Sequence, residues 1–75
     1  MNLNKTLSEL KEGEAAILSG FSDEYFAGKL LSMGVLPGSR VLLIRRLPNK
    51  GGIYVRVEAA NFAFRDEEAK LILIA

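Results

Sequence analysis

The chain has 75 residues, 49% of them apolar and 25% charged, with a formal net charge of +1 and neither cysteine nor histidine. That is too apolar for a disordered segment and too short for more than one small core, which at this length buries only roughly 60% of the unfolded surface. Its longest apolar runs are four or five residues, far short of the ~20 that a membrane-spanning helix needs. The absence of a disulfide staple suits a reducing compartment, and Met1-Asn2-Leu3-Asn4-Lys5 holds no apolar leader. The expectation is a cytoplasmic protein with one domain over residues 1–75.

Thr6-Leu7-Ser8-Glu9-Leu10 matches a capping box, with Thr6 as N-cap and Glu9 at N3, and Gly13 stops it within about a turn. Glu14-Ala15-Ala16-Ile17-Leu18 reads as a short first strand. Ser22 is the expected N-cap of the one longer helix, from about Asp23 to Met33, with Asp23 and Glu24 where the helix dipole favours acids. Phe26, Leu30 and Met33, with Ala27 and Leu31 alongside, form its inward stripe. Gly28 weakens this helix by roughly 1 kcal/mol relative to alanine, unless something packs closely against it. The stretch from Leu30 to Arg40 is a helix end, a reversal and a strand start. Gly34 takes a left-handed C-terminal position, Pro37 forbids helix continuation and Gly38 permits a tight turn. These three residues are assigned to the fold and not to contact.

From Ser39 onward the pattern is β, with strands over 40–47, 53–59, 61–65 and 71–74. Pro48-Asn49-Lys50-Gly51-Gly52 joins the first two as a hairpin loop with flexible glycines. Alternation puts Ile53, Val55 and Val57 inside and Tyr54, Arg56 and Glu58 outside. Phe62 and Phe64 face inward, opposite Asn61, Ala63 and Arg65. Asp66-Glu67-Glu68-Ala69 reads as a helical or 3-10 turn capped by Asp66. The predicted class is mostly β: a small barrel of about five short antiparallel strands with one inserted helix and a late helical turn, closed on itself so that no edge is exposed. Two strands break the alternation. Leu42 and Ile44 are apolar although Val41 and Leu43 already supply the core, and Leu71, Ile72, Leu73 and Ile74 are apolar without interruption. Either the inserted helix covers this second face or the face is a docking patch.

Charge is unevenly distributed. Arg40, Arg45, Arg46, Lys50 and Arg56 lie between Val35 and Val57 with no acid among them, while the remaining chain holds all nine acids. Without histidine or cysteine, metal ligands reduce to carboxylates, hydroxyls and carbonyls. Asp23-Glu24 and Asp66-Glu67-Glu68 both sit at helix starts, where capping and the dipole account for them, so no metal site and no cofactor are expected. No serine or threonine has a histidine to activate it, and no Gly-Lys-Thr/Ser phosphate loop occurs. The chain therefore reads as a non-enzyme without catalytic residues. Small barrels also bind nucleic acid through basic grooves with stacking aromatics, and Arg40, Arg46, Lys50, Arg56 and Tyr54 are the residues for such a surface. With one exposed aromatic in the basic region and a total charge near zero, protein docking is the expectation and nucleic acid the alternative.

Several segments follow one another from Leu7 to Ile72. Leu7, Leu10 and Gly13 lead to Ala16-Ile17. The segment Leu30-Leu31-Ser32-Met33-Gly34-Val35-Leu36-Pro37-Gly38-Ser39 is close to the signature L..lGl.pG. Val41, Leu43, Arg45 and Pro48 precede Ile53 and Val55, and Phe64-Arg65, Glu68-Ala69 and Ile72 fit a closing lR..eA..I. In order and spacing the chain resembles the FeoA family of the ferrous iron transport system. The resemblance implies an SH3-like barrel and a role in Fe(II) uptake, acting on or with the membrane transporter FeoB, which carries a cytoplasmic GTP-binding domain. The same fold occurs as a C-terminal domain of iron-dependent repressors, which keeps a repressor-type accessory domain as an alternative. One departure is the loop Pro48-Asn49-Lys50-Gly51-Gly52, where many members have an apolar residue followed by Gly-Asp-Pro.

The expected partner-binding residues are Leu42, Ile44, Arg46, Lys50 and Tyr54 on the outside of the basic hairpin, together with Leu73. Exchanging Arg46 for Glu with Ile44 for Asp is expected to leave folding intact. Apolar residues on both strand faces leave weak self-association open.

Overall fold

The computed structural model describes residues 5–75. In chain order it contains β1 (Lys5–Thr6), a 3-10 turn at Leu7–Glu9, β2 (Ala15–Phe21), α1 (Glu24–Ser32), β3 (Arg40–Arg46), a 3-10 turn at Pro48–Lys50, β4 (Ile53–Val57), β5 (Ala60–Phe64), α2 (Asp66–Ala69) and β6 (Ile72–Ile74). The strands form one sheet in the order β1-β6-β2-β3-β4-β5, antiparallel throughout. β2 gives the sheet its curvature. Its residues 15–17 pair with β3, its residues 18–21 pair with β6, and the register shifts between Leu18 and Gly20. Sequence alternation stops at Leu18 because a bulge lies there, but the strand continues to Phe21.

The architecture is the mostly-β, SH3-like barrel expected, with six strands where about five were predicted. The extra strand, β1, is two residues long and leaves no pattern in the sequence. Closure is less complete than expected: β1 and β5 end the sheet and are not paired with each other among the described residues.

The core follows the predicted alternation on β4, where Ile53, Val55 and Val57 are buried and Tyr54 and Arg56 are exposed. Phe26 of α1 packs edge-on against Phe21 of β2 and Phe64 of β5, with ring centroids 6.4 Å away in both cases. These are favourable aromatic geometries, and they seat the helix on the sheet.

The helix differs from its prediction at both ends. Ser22 is a bend just past the end of β2, donating its N–H to Leu71 O (3.0 Å). Asp23 is the N-cap, and its Oδ2 accepts the Phe26 N–H (2.8 Å). At the other end, Met33 leaves helical geometry (φ −94°, ψ 2°), so it never joins the inward stripe, and Leu31 and Met33 are both exposed. Val35 takes the buried place against Leu30. The chain turns by a Schellman pattern: Val35 N–H donates to Leu30 O (3.0 Å) and Gly34 N–H to Leu31 O (3.1 Å), with Gly34 at φ +87°. Leu36-Pro37-Gly38-Ser39 then closes a type II turn, with Ser39 N–H on Leu36 O (3.1 Å) and Gly38 at φ +94°. This turn is held to β2 by Gly38 N–H on Leu18 O (2.7 Å) and Leu18 N–H on Ser39 O (2.9 Å). The assignment of Gly34, Pro37 and Gly38 to the fold rests on these bonds.

Two further expectations change. Asp66 does not cap α2; it is the first helical residue, and Glu68 Oε1 accepts the Arg65 N–H (2.7 Å) at the cap position. The 48–52 loop is structured where flexibility was expected. Leu47 N–H donates to Gly52 O (2.9 Å), Asn49 and Lys50 are left-handed, and Gly52 is buried at φ +114°. A Cβ on Gly52 would lie 2.4 Å from Phe64 O. Nothing flexible lies in the way, so β4, β5 and the loop would have to part.

Two substitutions test this reading. Gly28 is exposed, and an added Cβ meets nothing within 4 Å, so Gly28→Ala raises stability by about 1 kcal/mol in urea denaturation. Gly52→Ala lowers it by roughly 2–4 kcal/mol through its φ and the backbone collision.

Candidate docking surface

The outer face of β3 and β4 is built by a second bulge. Leu43 stands opposite Val55 and Arg45 opposite Tyr54, so Ile44 is the extra residue. One strand thus sets Ile44 and Arg45 against the single residue Tyr54. Ile44 and Tyr54 are 39% and 42% exposed, high values for side chains of this size in a sheet. Below them on the same face, Leu42 pairs with Arg56, whose Nε donates to Asn61 Oδ1 (3.1 Å). The face therefore joins a branched aliphatic chain, a phenol and two guanidinium groups, Arg45 and Arg56.

Of the residues expected here, Leu42, Ile44 and Tyr54 share this face. Leu42 is half-buried. Lys50 lies on the adjoining 48–50 turn, left-handed at φ 56° and exposed. Leu73 does not join them: it lies on β6, opposite Thr6 and Gly20, with β2 between β6 and β3. Arg45, absent from the expected set, belongs to the face because the bulge turns it outward.

Arg46 is elsewhere, for the same reason. The bulge advances the register by one, so Arg46 pairs with the core residue Ile53 and lies at the rim of the inner side, its side chain still 38% exposed. Its Nη2 donates to Leu10 O (2.6 Å) and Ser8 O (3.0 Å), its Nη1 lies 3.9 Å from Asp66 Oδ1, and its N–H donates to Glu12 Oε2 (2.8 Å). Arg46 is a clamp across the end of the barrel. Its exchange for Glu would confront two carbonyls and two carboxylates with another anion, so the geometry replaces an intact fold with a loss of stability as the expected outcome.

The acids are similarly occupied. Glu9, Glu12, Glu14, Asp23, Glu58 and Glu68 each accept a backbone N–H, at 2.7–2.9 Å. Asp66 pairs with Arg46. Among the described residues no three of His, Cys, Asp or Glu come together to hold a metal ion. A second exposed apolar cluster, Leu31, Met33 and Leu36, surrounds the end of α1. Sequence periodicity missed it by extending the helix one residue too far.

Fold and surface together define a small, mostly-β SH3-like barrel. A model of the FeoA domain matches residues 5–75. The chain belongs to the FeoA family, which is associated with ferrous iron transport. It is similar to the Stenotrophomonas maltophilia FeoA complexed with zinc, described as a prokaryotic SH3 domain protein, at 29% identity and a TM-score of 0.81 over 95% of this chain and 89% of that one. An iron uptake regulatory protein (FeoA) is 26% identical, with a TM-score of 0.80 over 96% of each chain. A manganese-dependent transcriptional repressor superposes with a TM-score of 0.85 over all of this chain and 42% of that one; at 19% identity the likeness is one of fold alone. No curated protein sequence matches. Among the described residues no helix is long and apolar enough to cross a membrane.

The clamp gives a prediction. The ion pair with Asp66 is long and part-exposed, the kind that contributes about 0–1 kcal/mol, whereas charged hydrogen bonds to carbonyls contribute roughly 1.5–3 kcal/mol. Arg46→Met therefore costs about 2 kcal/mol in urea denaturation, and most of that loss persists in concentrated salt. A loss that disappears with salt would assign the effect to Asp66 instead.

Proposed function

We propose that this chain is a non-enzymatic adaptor in the cytoplasm that docks onto the cytoplasmic part of a FeoB-type ferrous iron transporter and alters its assembly or nucleotide cycle. Membership in the FeoA family supports the system. The observation that carries the surface is the bulge on β3, which exposes Ile44 beside Tyr54 and flanks them with Arg45 and Arg56. An apolar and aromatic centre rimmed by arginine is the composition that protein interfaces favour. Leu42 and Lys50 extend the contact along β3 and into the adjoining turn. Leu73, two strands removed, contributes only to a partner large enough to wrap the barrel. The basic rim suits an acidic protein surface, and Arg56, tied to Asn61, presents its charge in a fixed place.

The test is a binding titration of the transporter's cytoplasmic region against Ile44→Asp with Tyr54→Ser. Both side chains are outside the core, so thermal unfolding stays close to that of the parent. Binding weakens by at least about tenfold, the scale of losing one hot-spot contact. Unchanged binding by a folded double variant would remove this face from the interface.

A further inference from the structure

β5 ends the sheet, and among the described residues its one strand neighbour is β4. The ladder determines which of its backbone groups face that neighbour. Glu58 N–H donates to Arg40 O (3.0 Å) and Leu47 N–H to Gly52 O (2.9 Å), so the even-numbered residues of β4 direct their amides toward β3. The odd-numbered Ile53, Val55 and Val57 direct theirs to Phe64, Phe62 and Ala60. The N–H and C=O groups of Asn61 and Ala63 therefore point away from the sheet, and no described backbone group bonds to them. Both residues are exposed.

Edges of this kind are ordinarily guarded by a lysine, a proline, a bulge or brevity. The opposite end of the sheet carries such a guard: β1, two residues long among the described residues, holds Lys5. β5 has none. Ala60-Asn61-Phe62-Ala63-Phe64 has no charge and no proline, its register with β4 is unbroken, and its length is ordinary for a strand. Phe62, stacked on Phe64 at 6.0 Å, remains only half-buried beside the edge.

We propose that a second copy of this chain occupies the edge, the two β5 strands pairing antiparallel about a two-fold axis at Phe62. The strand is self-complementary about that residue. Asn61 of each copy stands opposite Ala63 of the other, and each such pair exchanges both of its N–H···O bonds. The two Phe62 side chains meet as the closer, non-hydrogen-bonded pair, which is where aromatic cross-strand contacts are strongest. The ends match in charge as well. The register about Phe62 sets exposed Arg65 of each copy opposite Ala59 of the other, one residue from exposed Glu58, whose Oε2 also accepts the Arg40 N–H (2.8 Å). An acidic or basic foreign peptide finds no charge along β5 to select it. The contact is isologous and consumes both unguarded edges, so assembly stops at two. This inference does not depend on the transporter reading.

Sedimentation equilibrium of the whole chain over a wide concentration range tests it, and the parent shows a monomer–dimer equilibrium. Ala63→Pro removes an outward N–H that β4 does not use, a position where a strand tolerates proline. It raises the dimer dissociation constant at least about tenfold, the effect of two lost interchain hydrogen bonds. Arg65→Glu, which lies outside the strand, also weakens the dimer, and Glu58→Lys with Arg65→Glu restores it, with Glu58→Lys alone as the control for the lost Arg40 N–H bond. These charge variants decide the matter if the proline variant does not fold. A chain that stays monomeric at every concentration overturns the proposal, as does a dimer indifferent to all of these changes. A monomer whose capture by the transporter's cytoplasmic region is lost on Ala63→Pro overturns it too, because the edge then receives a foreign strand.

Discussion

The constraint on which this small barrel depends is the insertion of Arg46 across its open end. The ends of the sheet, β1 and β5, are not joined to each other by a ladder among the described residues. The Arg46 guanidinium instead ties the last residue of β3 to the carbonyls of Ser8 and Leu10, with Asp66 of α2 alongside. A chain this short has a thin margin of stability, and few other side chains reach so far along the sequence. Arg46 points there only because the bulge at Ile44 shifts the register by one residue. The same shift pushes Ile44 and Arg45 outward together against Tyr54. The clamp that holds the fold and the patch that the fold displays are thus two results of one irregularity in one strand. A change that straightened β3 would lose both at once.

The charged side chains support this interpretation. Six of the nine acids are occupied with backbone amides, several of them at turns and helix starts where a local carboxylate replaces a missing ladder bond. Glu9, Glu14, Asp23 and Glu68 each bond an amide three residues away, while Glu12 and Glu58 reach across the fold to the amides of Arg46 and Arg40. They staple the surface loops and do not converge on an ion or a substrate. Among the exposed side chains outside these arrangements are Ile44, Tyr54 and Arg45 on the outer face of β3 and β4, and Leu31, Met33 and Leu36 at the end of α1.

Much of the fold was legible in the sequence because its determinants are local. The positive φ of Gly34 and Gly38 and the proline between them act within a few residues, so the helix end, the turn and the start of β3 could be read directly. The same holds for the alternation of Ile53, Val55 and Val57. What was missed depends on distant partners. No pattern near Arg46 announces that Ser8 and Leu10 will offer it carbonyls from more than thirty residues earlier, and without that knowledge simple alternation puts Arg46 outside with Ile44. Met33 fits the helical period but not the helix, because the Schellman turn transfers the buried place to Val35. Leu18 looks like the end of a strand because bulge and terminus interrupt alternation equally. The candidate docking face was consequently half legible: Leu42, Ile44 and Tyr54 by alternation, Arg45 only once the bulge was seen.

The unguarded strand and the docking face have a geometric relation that neither has alone. Tyr54 pairs with Ala63, so the face lies one strand in from the edge. Pairing of two β5 strands makes β3-β4-β5 and its copy one continuous sheet, with both outer faces on the same side. Three strand spacings then separate the two Tyr54 residues, on the order of 15 Å. A partner that carries two equivalent acidic surfaces at that separation engages both faces, the second from a high effective concentration. A partner with one such surface gains nothing from the dimer. On the two proposals together, docking becomes sensitive to the oligomeric state of the partner, because only a partner with two such surfaces draws on the second face.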